Sequence, residues 1–245
     1  MYDKLLNHTA HRHNSLSPGK WLMSQRWENL LFIHYPVKKE AIKECIPDGL
    51  ELDCFQGDAW VTIIPFEVTD MHLRGTSSIP YLHSYLELNV RTYVKLNGVH
   101  GIYFFSLDAD KILAVIGARS ATLPYYYAKM SMLKDGDTFS YESQRRGRNG
   151  ASFKSSYCPN SSIWIPEEDT LDAWLFERYY AWAVKGRFLV EVEIHHLPWD
   201  VQEVEASFQT SNLLPSGLES ADEGEVLFHY AKAKRVLLWI RANRR

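Results

Sequence analysis

Three features of the chain predict an antiparallel α+β fold. The segment SYLELNVRTYVKL alternates apolar and polar residues without a break, and Asn97-Gly98 follows it with the residues a tight hairpin turn prefers. Most other strand-like stretches are also joined by short turns, with few helices between them. A doubly wound sheet would need regular strand and helix alternation, which the chain lacks.

Taken in order, residues 1–20 read as a polar, mobile leader and residues 21–245 as a single domain. LLFIHYPV is a short strand closed by Pro36. In KKEAIKECIPDGL, Ala41, Ile42 and Cys45 share one helical face, and Pro47 with Asp48-Gly49 ends the helix. LELDCFQGDAWVTIIPF reads as two strands around a Gln56-Gly57-Asp58 turn. The hairpin follows, with GIYFFSLD as the returning strand. Next, Ile112 to Ile116 predicts a helix capped by Asp108 or Asp110 and broken between Gly117 and Pro124. A second short helix is expected to start at Pro124, which would spread Tyr125, Tyr126 and Tyr127 about 100° apart. DTFSYESQRR and NGASFKSSYCP pair as strands. A capped helix, a strand, a Lys185-Gly186 turn, a strand ending at His195-His196 and a last strand in EGEVLFHYAKAKRVLLWI complete the chain.

Composition narrows the function classes. With 46% hydrophobic and 13% aromatic residues in 245, the chain can bury a substantial core. Its formal charge of -3 argues against nucleic acid or an anionic membrane as partner, and RRGRNG and RANRR read as solvated turns or tails. The leader has no apolar core of signal-peptide length and no stretch reaches membrane-helix length, so a cytoplasmic protein is expected, with a homo-oligomer compatible. Cys45, Cys54 and Cys158 form no CxxC pair and read as buried small hydrophobes of a reducing compartment.

No GxSxG, GxGxxG, Walker or HExxH motif is present. His8, His11 and His13 lie in the leader without partners that would orient metal ligands; neither a metal nor another cofactor is expected. Adjacent His195 and His196 point to opposite faces of a strand, so one at most serves a site and the other meets solvent. Glu67, Glu87 and Glu177 are acids or bases only if a cavity encloses them. The hairpin strand decides most: Leu86, Leu88, Val90, Thr92, Val94 and Leu96 fall on one face, and Tyr85, Glu87, Asn89, Arg91, Tyr93 and Lys95 on the other. A polar face of this kind either meets bulk water or lines a wet cavity. Glu87 and Arg91, four residues apart and flanked by tyrosines, favour the cavity, since a routine exposed strand carries more Thr, Lys and Ser.

The segments RWENLLFIHYPV, GDAWVTIIPFEV, ELNVRTYV, GIYFFSLDAD, GARSATLPYYYAKM, FERYYAW and HHLPWDVQ, in this order from Trp21 to Gln202, resemble the YqjF-like domain-of-unknown-function family of bacterial proteins, which is grouped by fold with acetoacetate decarboxylase. The resemblance implies a cone-shaped, mainly antiparallel β-barrel with a few peripheral helices and an internal ligand cavity. Acetoacetate decarboxylases carry a segment like GRExxGFPKK, whose lysine after the proline forms a Schiff base with the keto acid while its neighbour lowers its pKa. The similar stretch here is GARSATLPYY: Gly117 and Pro124 keep their spacing, Arg119 is displaced by one position, and Tyr125 and Tyr126 stand where the lysines would be. A phenol forms no imine, and Lys111, Lys129 and Lys134 do not inherit the role by position. Glu87 resembles the decarboxylase's cavity glutamate.

The leading expectation is a small-molecule-binding protein whose cavity suits a small carboxylate, keto or phenolic ligand. Arg91 is the carboxylate clamp, with Tyr85, Tyr126, Arg119, Arg178 and His196 as further ligand contacts. The competing reading is an enzyme acting on a carbonyl or enol by general acid/base chemistry between Glu87 and Tyr125. A third reading makes Glu87 and Arg91 an ion pair in a filled interior.

Overall fold

The computed structural model describes residues 2–77, 80–120, 122–147, 150–185, 188–218 and 226–244. Along the chain run α1 (Asp3–Asn7), β1 (Met23–Val37), α2 (Lys39–Lys43), β2 (Glu51–Leu52), β3 (Ala59–Leu73), β4 (Ser84–Leu96), β5 (Val99–Ala109), α3 (Ile112–Ser120), β6 (Tyr125–Asp135), β7 (Thr138–Arg145), β8 (Ser152–Pro159), α4 (Leu171–Phe176), β9 (Tyr180–Lys185), β10 (Phe188–His195), β11 (Gln202–Ser211) and β12 (Leu227–Arg244). No helix among the described residues is long and apolar enough to cross a membrane.

Local chemistry accounts for the hairpins. Asn97 and Gly98 both adopt positive φ, 51° and 78°, which is the twist-matched turn that joins β4 to β5. Gln56 and Gly57 do the same between the bridged residues Phe55 and Asp58, but the two-residue β2 before that turn pairs with β4 rather than with β3. α2 buries Ile42, and α4 starts where the Thr170 hydroxyl accepts the Ala173 N–H at 3.2 Å. Gly186 of the expected turn lies outside the described residues, while the flanking β9 and β10 pair as anticipated.

Three expectations change. β6 begins at Tyr125, where a helix was expected. Proline is harmless at the start of a strand, three consecutive tyrosines favour extended backbone, and β5 offers a free edge that takes Tyr125 to Tyr127 in parallel register with Leu107 to Ala109. α3 runs on through Gly117 to Ser120. Asp110 accepts the Leu86 N–H at 3.0 Å, and Asp108 is bound by Arg145, so both carboxylates tie strands together.

Strands β1, β3, β4, β5, β9, β10 and β12 pair in succession and close on themselves through β12 and β1. Strands β6, β7, β8 and β11 form a second layer that leaves this ring at β5 and returns at β12. The ring strands are thereby covered on both faces. On β1, Leu30 and Phe32 point into the ring, while Leu31 and Ile33 pack outward against Phe139, Phe153 and Tyr157 of the second layer. On β4 the outward Leu88 and Val90 join that outer core. Each fully buried side chain of this size contributes about 1.5–3 kcal/mol, so the outer layer stabilises the ring substantially. The leader segment also packs on the ring, with Leu5 and Arg12 buried and Arg12 donating to Glu193 at 2.7 Å.

Within the ring β5 and β9 meet in parallel, and there Gly101 is obligatory: a Cβ would lie 2.4 Å from the Trp182 ring and 2.5 Å from the Tyr180 carbonyl oxygen. Gly101→Ala should therefore lower unfolding stability by about 1–3 kcal/mol or more, the usual cost of overpacking. A urea midpoint equal to that of the parent would show that this seam has room the geometry denies.

Candidate functional site

Inside the ring lies a cavity of about 290 Å³. Its walls are mostly apolar, and the polar groups come chiefly from the inward face of β4. Tyr85, Glu87, Asn89 and Arg91 all line it, because alternate residues of a strand share a face and this face is turned inward. The polar row of β4 therefore lines an interior cavity, the second of the two environments such a row can have.

Each member of the row meets a different environment. Tyr85 accepts a hydrogen bond from Gln25 Nε2 at 3.1 Å, and Gln25 in turn accepts from Trp27 Nε1 at 2.8 Å. Glu87 is 6% exposed and accepts the Tyr125 phenol at 2.8 Å. Burial pushes its carboxyl up to about 8; the Tyr125 hydrogen bond opposes that rise and the Asp108 carboxylate adds to it. At neutral pH Glu87 is thus largely protonated. Burial and the adjacent Glu87 likewise push the Tyr125 phenol well up, so it stays a donor.

Arg178 and Arg91 bring two guanidinium groups to the same cavity. Arg178 is compensated: its Nη1 donates to Asp53 Oδ2 at 2.7 Å, its Nε donates to the Trp174 carbonyl at 2.7 Å, and the group stacks on the Trp174 and Tyr93 rings. Arg91 is 8% exposed, donates from Nη2 to the Leu175 carbonyl at a long 3.4 Å, and has a buried Nε without a partner. No carboxylate lies in ion-pair range of Arg91 among the described residues, so Glu87 and Arg91 do not pair. Asn89 Oδ1 is also buried without a partner.

The other candidates divide. His196 lines the cavity, with Nδ1 bonded to the Leu197 carbonyl at 2.8 Å and burial holding the ring well below its ordinary pKa, hence neutral. His195 points the other way but does not meet solvent: it is buried under the leader, bonded to the Leu5 carbonyl at 2.7 Å. Tyr126 and Arg119 are not in the cavity. With period two along β6, Tyr125 reaches inward and Tyr126 faces out, 40% exposed against the Arg145 guanidinium, while Arg119 is exposed and donates to the Tyr125 carbonyl. Glu67 is bound by the Ser84 hydroxyl, and Glu177 by the Tyr179 phenol and the Trp199 N–H, so neither lines the cavity. Gln25 and Asp53, which position Tyr85 and neutralise Arg178, stand in no motif that sequence reasoning could use. No group of three or more His, Cys, Asp or Glu among the described residues could hold a metal.

A strand ring around such a cavity defines the class. The chain superimposes with a TM-score of 0.64 on the enduracididine biosynthesis enzyme MppR complexed with pyruvate, at 14% identity over 94% of this chain and 93% of that one. The TM-score is 0.64 with an acetoacetate decarboxylase-like enzyme from Sphingomonas wittichii RW1, at 13% identity over 94% and 97% of the two chains. With the acetoacetate decarboxylase of Legionella pneumophila it is 0.65, at 14% identity over 98% and 94%. The fold is acetoacetate decarboxylase-like. Within it, the chain belongs to the DUF2071 family, described as "Uncharacterized conserved protein (COG2071)", which it matches over residues 24–235. It is 41% identical over 226 residues to the uncharacterized protein YqjF of Bacillus subtilis (strain 168), covering 92% of this chain and 93% of that protein.

The Glu87 environment makes stability depend on pH. In the folded chain the carboxyl keeps its proton to about pH 8, whereas in the unfolded chain it ionises near 4.5. The folded state holds the extra proton between these limits, so this group's contribution to stability falls as pH rises through the window and levels off above it. Glu87→Gln should melt close to the parent at about pH 4.5 and clearly above it at about pH 8.5. Parallel melting curves for the two proteins across that range would mean that the carboxyl is not held protonated.

Proposed function

We propose that the chain binds a small carboxylate-bearing ligand in the ring cavity, with Arg91 as the clamp. The observation that supports this is the uncompensated Arg91 guanidinium. A buried cation that cannot shed its proton calls for an anion, and within this cavity Asp53 is spent on Arg178 while Glu87 is largely protonated. The cavity thus carries net positive charge near neutral pH, and a planar carboxylate matches the fork of donors that Arg91 presents. Glu87, Tyr125 and Asn89 add hydrogen-bonding groups suited to a keto, enol or phenolic oxygen on the same ligand. The pyruvate held by MppR, of the same fold, is a ligand of that chemistry.

A second reading adds turnover. Glu87, raised to about 8 and bonded to the Tyr125 phenol, exchanges its proton close to physiological pH; in this reading its ionised fraction, which grows as pH approaches 8, is the general base on a carbonyl or enol substrate. No lysine is among the residues lining the cavity, so Schiff-base chemistry has no amine here.

Arg91→Met keeps side-chain length and removes the charge. It should fold with a melting temperature equal to or above the parent's, and it should lose the stabilisation that pyruvate gives the parent, with affinity down about ten- to a hundredfold for the loss of a charge-assisted hydrogen-bonded pair. Pyruvate affinity of the parent should also decline as pH rises past about 8, where ionised Glu87 brings a negative charge beside the ligand. Equal pyruvate shifts in Arg91→Met and parent would sink the clamp.

A further inference from the structure

The cavity is long, and its polarity is graded from end to end. Strand register sets its axis: Arg91 sits opposite Thr62 of β3, and Leu73, at the far end of the same strand, sits opposite Met23. Eleven positions separate Thr62 from Leu73, so these two register points mark opposite ends of the wall that β3 provides. The Arg91 end is closed, with Asn89 and Phe176 buried around the guanidinium. At the other end the lining residues Leu22, Leu73 and Leu113 are 47%, 39% and 52% exposed, so the cavity opens between leucines. The walls between, including Phe66, Phe104 and Ile194, are mostly apolar, with polar groups from β4 and from Gln25, Tyr125 and His196.

A three-carbon acid clamped at Arg91 would leave most of this channel unfilled, whereas 290 Å³ corresponds to about ten water-sized volumes. Charge at the closed end and aliphatic side chains at the open end match a ligand with the same gradient. We infer that the site takes carboxylic acids with an elongated apolar body: the carboxylate on Arg91, the chain along the apolar walls past Glu87 and Tyr125, and the tail emerging between Leu22, Leu73 and Leu113. This rests on the carboxylate reading of the same cavity and names the class of acid.

Calorimetric titration of the parent near neutral pH with acetate, butyrate, hexanoate, octanoate, pyruvate and octanol tests it. Affinity is expected to rise roughly fourfold per methylene from acetate to octanoate, which is the fold-change that about 0.8 kcal/mol of burial gives. Acetate or pyruvate binding as tightly as octanoate would overturn the elongated body while leaving the carboxylate site standing. Octanol binding as tightly as octanoate would overturn the clamp and keep only an apolar channel. No binding by any acid would overturn the carboxylate reading and this inference together.

Discussion

Everything in the interior depends on β4 being paired on both edges and covered on both faces. β3 and β5 take its backbone groups, the second layer takes its outward Leu88 and Val90, and the ring encloses the rest. The inward row of Tyr85, Glu87, Asn89 and Arg91 is thereby placed where water cannot solvate it freely, and each residue must find another answer to burial. Tyr85 is bound by Gln25. Glu87 takes the answer open to a carboxyl group, keeping its proton and accepting from Tyr125. Arginine has no neutral form to retreat to, so Arg91 stays charged.

Arg178 shows how the same fold neutralises a guanidinium when the charge is structural. Asp53, 1% exposed at its side chain, ties Arg178 to Lys95 and His100, and aromatic rings cover the faces of the group. A buried pair of this kind is close to balanced, because the attraction offsets the desolvation of both ions. Arg91 shares the Tyr93 ring, but no carboxylate among the described residues pairs with it. Two arginines in one cavity, one provided with a counter-ion and one without, depart from the local consistency that packing alone would favour, and this departure is what the proposed binding role rests on.

Much of this was legible in the chain, and what was not has identifiable causes. The β4–β5 hairpin could be read because alternation and Asn97-Gly98 agree, and the inward-facing polar row because Glu87 and Arg91 between tyrosines are an unusual choice for a solvated strand. The helix expected at Pro124 failed because proline suits the start of a strand as well as that of a helix; the free edge of β5, a tertiary fact, decided between them. That single change of period turned Tyr126 out of the candidate site, while Arg119, near the end of α3, is exposed. β11 was missed because its alternation is polar on one face and weakly apolar on the other, and it exists by pairing with β8. His195 was expected at the surface because the leader was given no part in the fold, whereas Leu5 and Arg12 cover it. The partners of the site, Gln25 on β1 and Asp53 just after β2, come from distant segments that no local pattern brings together.

The three consecutive tyrosines acquire separate tasks from strand geometry. Tyr125 turns inward to Glu87. Tyr126 turns outward and lies 4.1 Å from the Arg145 guanidinium, and Tyr127 lies 4.9 Å from that of Arg146. Arg145 donates to Asp108 at 2.6 Å, and Asp108 is one of the two influences that raise the Glu87 pKa. The proton affinity of the cavity carboxyl is therefore set from two sides: by its burial, which dominates, and by an ion pair behind it whose arginine lies against the Tyr126 ring. Where the decarboxylases' lysine pair supplies an amine and the charge that tunes it, this chain has a phenol inside and a phenol outside. At this position the Glu87 carboxyl and Tyr125 phenol are joined by a hydrogen bond, and proton transfer between them is what the proposed enzyme reading would use.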